Sequence, residues 1–274
     1  MRMLRIAAVL LFAVSVVLYA VVSVSDALKQ DNTRPVIESI LDTVELSVTD
    51  DEKNLCLGLT AYDEKDGDLT DQIMVAKVSR LSEDDTCKVE YVVFDSDNNA
   101  ATLTRTVHYT DYVSPRFSLT EPLVYHVGEN VRFLSRIQAT DALEGDISDR
   151  IKMQNGSVSN YQIGVYPIAL EVTNKLGDSS SVELSVMITE DNRFGPKIEL
   201  SEYLVYVPVG GKLQPRSYIQ NAWDSEGDKV STSRVSISGN VDTDTPGSYI
   251  LTYSMSDGGT MGHTYLTVSV EEEA

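Results

Sequence analysis

Ala61-Tyr62-Asp63-Glu64-Lys65-Asp66-Gly67-Asp68-Leu69-Thr70 recurs in this chain as Ala139-Thr140-Asp141-Ala142-Leu143-Glu144-Gly145-Asp146-Ile147-Ser148. It recurs again, one residue shorter, as Ala222-Trp223-Asp224-Ser225-Glu226-Gly227-Asp228. Aspartate side chains bond the backbone just ahead of them and glycine accepts positive φ, so each copy reads as a strand entering a tight acidic turn. A proline opens an apolar strand upstream of each copy: Pro35-Val36-Ile37, Pro115-Arg116-Phe117 and Pro196-Lys197-Ile198, spaced by 80 and 81 residues. Downstream lies an apolar alternation, Ile73/Val75, Ile151/Met153 and Val235/Ile237. A hairpin follows, plainest in Pro246-Gly247-Ser248-Tyr249 through Tyr253 to Asp257. Its counterparts are Tyr166, Leu170 and Asn174 in the second repeat, and Cys87, Tyr91 and Asp95 in the first.

Strands are signalled by period-two alternation of β-branched and aromatic residues, as in Thr102 to Tyr109, Ser181 to Thr189 and Thr264 to Val270. Turn residues recur about every 8–12 positions, the pattern of an all-β chain. About seven short strands in each repeat predict a two-sheet sandwich of immunoglobulin type. The expected architecture is all-β: three tandem immunoglobulin-like β-sandwiches at 35–110, 115–190 and 196–272, after one N-terminal transmembrane helix.

The repeated Asp-x-x-Asp-Gly-Asp turn, taken with the Pro-Gly-x-Tyr-x-x-x-Tyr-x-x-x-Asp hairpin, resembles the bacterial immunoglobulin-like repeats of cell-surface proteins. Hyalin-repeat and cadherin-like modules are more distant relatives in style. The resemblance spans roughly residues 35–272 and implies a surface location. Such repeats serve as stalks, spacers and adhesive modules alike, so it implies no single ligand.

Ile6 to Val24 is a 19-residue apolar run broken only by Ser15, Tyr19 and Ser23. As a helix it would extend roughly 28 Å, near the thickness of a bilayer core. Arg2 and Arg5 precede it, which predicts residues 1–5 in the cytoplasm, an anchor over 6–24, a stalk over 25–34 and the repeats outside. The competing expectation is a signal peptide cleaved near Ser25-Asp26-Ala27, leaving a secreted protein.

Acids outnumber bases by 42 to 22, for a formal charge of −20. That surface repels nucleic acid and sets a nucleic-acid role aside. Two cysteines, Cys56 and Cys87, could close a 31-residue span as a disulfide outside the cytoplasm, or stand as separate buried thiols. On the resemblance, Cys56 would lie on the second major strand and bridge near the usual inter-sheet position.

The acidic turns are candidate calcium ligands: Asp63, Asp66 and Asp68; Asp141, Glu144 and Asp146; Asp224, Glu226 and Asp228. Calcium takes six to eight oxygens, and acids clustered at a glycine bend supply some of them. The plainer expectation is that they are turn formers. Trp223, the single tryptophan, would suit carbohydrate or protein contact if it faces solvent, and otherwise covers a strand end. Asn155-Gly156 is a hairpin-turn signal. His108, His126 and His263 are scattered, and no catalytic motif accompanies them, so no enzyme is expected. The functional expectation is a membrane-anchored extracellular spacer or binding and adhesion module for a protein or carbohydrate ligand. The alternatives are an accessory or sensor subunit of a membrane complex, or a secreted calcium-dependent adhesive module.

Overall fold

A computed structural model describes residues 2–29, 33–190 and 195–272. The N-terminal apolar run lies in one helix, α1 (Arg2–Lys29), longer than the expected span and taking in half of the expected stalk. Its described side chains, Leu10 to Val24, are all exposed. Among the described residues no helix is long and apolar enough to cross a membrane.

Every other long element is a strand, and the strands form three sets with three separate cores. The first set is β1 (Val36–Ser39), β2 (Thr43–Leu46), β3 (Leu59–Asp63), β4 (Gly67–Asp68), β5 (Met74–Val78), β6 (Thr86–Phe94) and β7 (Ala100–Tyr109). One sheet is ordered β1-β3-β4 and the other β2-β7-β6-β5. The second set repeats this plan with β8 (Arg116–Leu119), β9 (Val124–His126), β10 (Ile137–Asp141), β11 (Gly145–Asp146), β12 (Lys152–Asn155), β13 (Gly164–Thr173) and β14 (Ser179–Thr189). Its sheets are ordered β8-β10-β11 and β9-β14-β13-β12. The third set has β15 (Lys197–Leu200), β16 (Leu204–Pro208), β17 (Ile219–Trp223), β18 (Ser236–Ser238), β19 (Gly247–Asp257) and β20 (Thr260–Glu271), in sheets β15-β17 and β16-β20-β19-β18. In each set the strand after the first crosses to the larger sheet and pairs in parallel with the last strand.

Alternation decides which face is buried. Along β6, Cys87, Val89, Tyr91 and Val93 point inward; along β13, Ile168, Leu170 and Val172; along β19, Leu251, Tyr253 and Met255. Each such apolar side chain contributes about 1.5–3 kcal/mol by leaving water. The tyrosines of β6 and β19 still need a partner for the phenol. Tyr91 donates to the Leu55 carbonyl at 2.5 Å and Tyr253 to the Pro215 carbonyl at 2.7 Å. Val75 and Met153, expected in the apolar alternation, are exposed instead, because β5 and β12 are edge strands with little covering them. Asn155-Gly156 does not make a two-residue hairpin: β12 ends at Asn155 and β13 starts only at Gly164.

The chain forms two compact units, residues 1–110 and 111–274. Within the second unit, the second and third modules pack against each other. Tyr206 of β16 accepts the Phe117 N–H at 3.1 Å and donates to the Phe117 carbonyl at 3.2 Å, while Arg116 lies 4.5 Å over its ring and pairs with Glu271. Burial pushes the Tyr206 phenol up to about 12. Leu204, from the third module, is buried among the core residues of the second.

Candidate functional site

The three acidic turns end β3, β10 and β17, and their glycines need the left-handed region: φ is +77° at Gly67, +75° at Gly145 and +91° at Gly227. The first acid of each turn caps it. Asp63 Oδ1 accepts the N–H groups of Lys65 and Asp66 at 2.8 and 3.1 Å. Asp141 Oδ1 accepts those of Leu143 and Glu144, both at 2.9 Å, and Asp224 Oδ1 those of Glu226 and Asp228, both at 3.0 Å. In the first two modules the last acid bonds the first N–H of the short 3-10 turn that follows, while in the third Ser231 caps that turn. Asp68 and Asp146 each accept a backbone N–H at 2.9 Å, from Thr70 and Ser148, and the hydroxyls of those two residues, foremost, with these backbone bonds hold both carboxyls below their usual range. Among the described residues, no three His, Cys, Asp or Glu side chains gather as a metal site. Seven of the nine expected calcium ligands, Asp63, Asp66, Asp68, Asp141, Glu144, Asp146 and Asp224, each accept a backbone N–H.

The middle acid reaches the neighbouring hairpin. Asp66 Oδ2 accepts the Ser96 N–H at 2.8 Å, and Glu144 Oε1 accepts the equivalent N–H of Lys175. Glu144 also takes both guanidinium nitrogens of Arg150, at 3.0 and 2.6 Å, and lies 3.2 Å from Lys175 Nζ. Those contacts, Arg150 foremost, hold the Glu144 carboxyl at about 2. In the third module Asp257 plays this part, bound by Arg234 at 2.9 Å and by the Ser225 N–H at 3.1 Å.

Behind the turns sits a polar corner that local sequence patterns do not reveal. In the second module the buried Asp141 directs Oδ2 to the Asn174 amide at 2.8 Å. Tyr112 also accepts from that amide at 2.8 Å and donates to Asp178 at 2.8 Å. Burial, with the Asp178 carboxylate, pushes the Tyr112 phenol up. In the first module Asp95 stands at the position of Asn174, and Asp63 Oδ2 is buried without a hydrogen-bond partner. The one signal in the sequence was the exchange of Asp95 for Asn174 at a repeat landmark.

Cys56 and Cys87 are free thiols, which corrects the expected disulfide. Cys56 ends a 3-10 turn (Glu52–Cys56) rather than lying on a strand, and both sulfurs fill core volume beside Tyr91. Burial pushes both thiols up. The carbonyls of Leu55 and Leu57, which flank Cys56, are tied to the buried Arg105, whose guanidinium lies 5.0 Å from the Tyr91 ring.

Trp223 is half-buried on the outer face of the smaller sheet in the third module. It pairs with Lys197 of β15 on one side and with Lys229 on the other. Gly262 permits this sheet to sit close to the larger one: a Cβ there would lie 1.8 Å from the Pro196 carbonyl oxygen. In the second module an open depression of about 510 Å³ is lined by Asn155, Gly156, Ser157, Pro167, Ile168 and Glu183.

Residues 202–269 match the family model described as bacterial surface protein, Ig-like domain. Pesticidal crystal protein Cry22Aa of Bacillus thuringiensis is 27% identical over 234 residues, covering 82% of this chain and 31% of the relative. An uncharacterized 81.3 kDa protein of Acholeplasma phage L2 is 23% identical over 238 residues, covering 82% of this chain and 30% of its own. The chain thus spans about a third of the length of these relatives. Among solved structures, Drosophila N-cadherin EC1-3 is 14% identical, covering 85% of this chain and 98% of its own, with a TM-score of 0.30. The CBM51-2 and INT domains of Clostridium perfringens ZmpB, in complex with GlcNAc, are 16% identical, covering 54% of this chain and 26% of their own, with a TM-score of 0.24.

Proposed function

We propose that this chain, whose third module is a bacterial surface Ig-like domain, is an extracellular spacer and binding module held at the cell surface by α1. The observation that carries the anchored reading is the helix itself. Leu10, Leu11, Phe12, Val14, Val17, Leu18 and their neighbours to Val24 leave their side chains exposed, with no described part of the protein covering them. These apolar side chains, in a fifteen-residue stretch that also holds Ser15 and Ser23, are costly in water and stable in lipid; the stretch is shorter than a membrane span, and the anchored reading adds the apolar sequence from Ile6. The strand sets need no membrane, since each closes its own core. Their acidic, capped turns shape rigid ends, so the modules suit spacing and display of a contact face.

Cell fractionation tests this reading. The intact chain is expected in the membrane fraction, resistant to high salt and alkaline carbonate and released by detergent. Recovery from the medium of a form lacking residues 1–27 would replace the anchor with a cleaved leader.

A further inference from the structure

The outer face around Trp223 sets an indole between two exposed lysines. Residues directly opposite in antiparallel strands share a face, with Cβ atoms about 4.5–5.5 Å apart. Lys197, Trp223 and Lys229 are opposed in this way and so form one row across the strands. The row points outward, because its chain neighbour Ala222 is buried in the core and Ile198 and Val230 pack against that core. Both lysines are exposed, and neither forms an ion pair among the described residues.

The same position differs in the other modules. Tyr62 stands between Val36 and Asp68, and Thr140 between Arg116 and Asp146. Only the third module sets an aromatic ring between two cations, on a chain of formal charge −20.

We propose that this row is a binding site for an acidic polysaccharide, with a pyranose ring stacked on Trp223 and carboxylates of the sugar chain at Lys197 and Lys229. The inference rests on the binding-module reading above and names its ligand class. An indole face takes the C–H face of a sugar ring, and an ammonium takes a carboxylate as a point charge. The two lysines stand two strand spacings apart, roughly 10 Å, the reach of two linked rings. The sugar chain runs across the strands, because the next pair on this face is Glu199 with Asn221, joined at 2.7 Å, and the Glu199 carboxylate repels an anion running lengthwise. An extended peptide is the poorer occupant. At Trp223 the strand is bridged on both sides, so no open edge is available for strand addition.

Trp223 is the only tryptophan, so its emission reports the site directly. The full chain in detergent micelles is titrated at low salt with polygalacturonate, dextran and poly-glutamate. Saturable change of Trp223 emission is expected with polygalacturonate alone, weakening as salt is raised. Lys197→Glu with Lys229→Glu is expected to weaken binding at least about tenfold at an unchanged melting temperature. Trp223→Ala, followed by co-sedimentation, is expected to do the same. Equal binding of dextran or of poly-glutamate would overturn the proposal, as would polygalacturonate binding untouched by the lysine pair. Those three results leave a binding module with another site or ligand. Absence of binding to all three polymers overturns the acidic-sugar assignment without touching the anchor, which fractionation reads separately.

Discussion

In the second module the buried turn aspartate meets an amide; in the first, an aspartate holds the amide's place. Asp141 and Asp63 are each 2% exposed and cap the same turn through Oδ1. Asn174 gives Asp141 Oδ2 a donor, and Asp178 sits four residues on. The first module inverts this order: Asp95 accepts from the Asn99 amide at 2.7 Å, and nothing donates to Asp63 Oδ2. The second module also has Arg150 on its middle acid, where the first has Gln72 at the matching place. Two turns that read alike in sequence therefore differ in how completely their buried charge is satisfied. A buried polar atom without a partner costs about 1–3 kcal/mol, so the first corner is the weaker.

The largest effect should come from imposing the first module's defect on the second. Asn174→Asp removes the donor to Asp141 and sets a second carboxylate beside it. A loss of about 3 kcal/mol is expected in denaturant melts followed by Trp223 emission, which reports residues 111–274. A loss below about 0.5 kcal/mol would mean that the amide is not what stabilises the corner.

The reverse graft should give a smaller gain. Asp95→Asn combined with Asn99→Asp rebuilds the Asn174/Asp178 order in the first module. About 1–2 kcal/mol of added stability is expected, read as slower amide exchange in β3 and β6. Unchanged exchange would show that the orphaned oxygen is not the weak point.

Acid titration should separate the modules least. Glu144 is held at about 2 against an ordinary 4.5, a depressed folded value. Its contribution is present above the ordinary value and is lost as pH falls from 4.5 towards about 2. Partly exposed pairs of this kind contribute roughly 0.5–1 kcal/mol, so Glu144→Gln should make the acid-induced fall in the Trp223-detected melt only slightly shallower over that window. An identical pH profile in the variant would remove Glu144 from the acid response.

Much of the fold was legible because its causes are local. The bonds of Asp63 and Asp68 in this turn reach two or three positions, and the φ that Gly67 adopts is a property of that turn alone. Alternation along β6, β13 and β19 announces which residues face inward before any partner is known. The failures came where contacts are long-range. Cys56 stands in an apolar stretch, yet the backbone there turns so that the Leu55 and Leu57 carbonyls meet Arg105, some 50 residues away in sequence. Val75 and Met153 alternate correctly but fall at sheet edges, which only strand order determines.

The three acidic turns divide along the same line. Sequence alone determined the three repeated turns, their glycines and the strands leading into them, since short-range sterics and side-chain-to-backbone bonds govern all three. Tertiary structure decided what surrounds the turns. It supplied an amide to one buried aspartate and withheld one from another, and it brought Lys197, Trp223 and Lys229 into one row. Those outcomes depend on register between strands far apart in the chain, which no local propensity encodes.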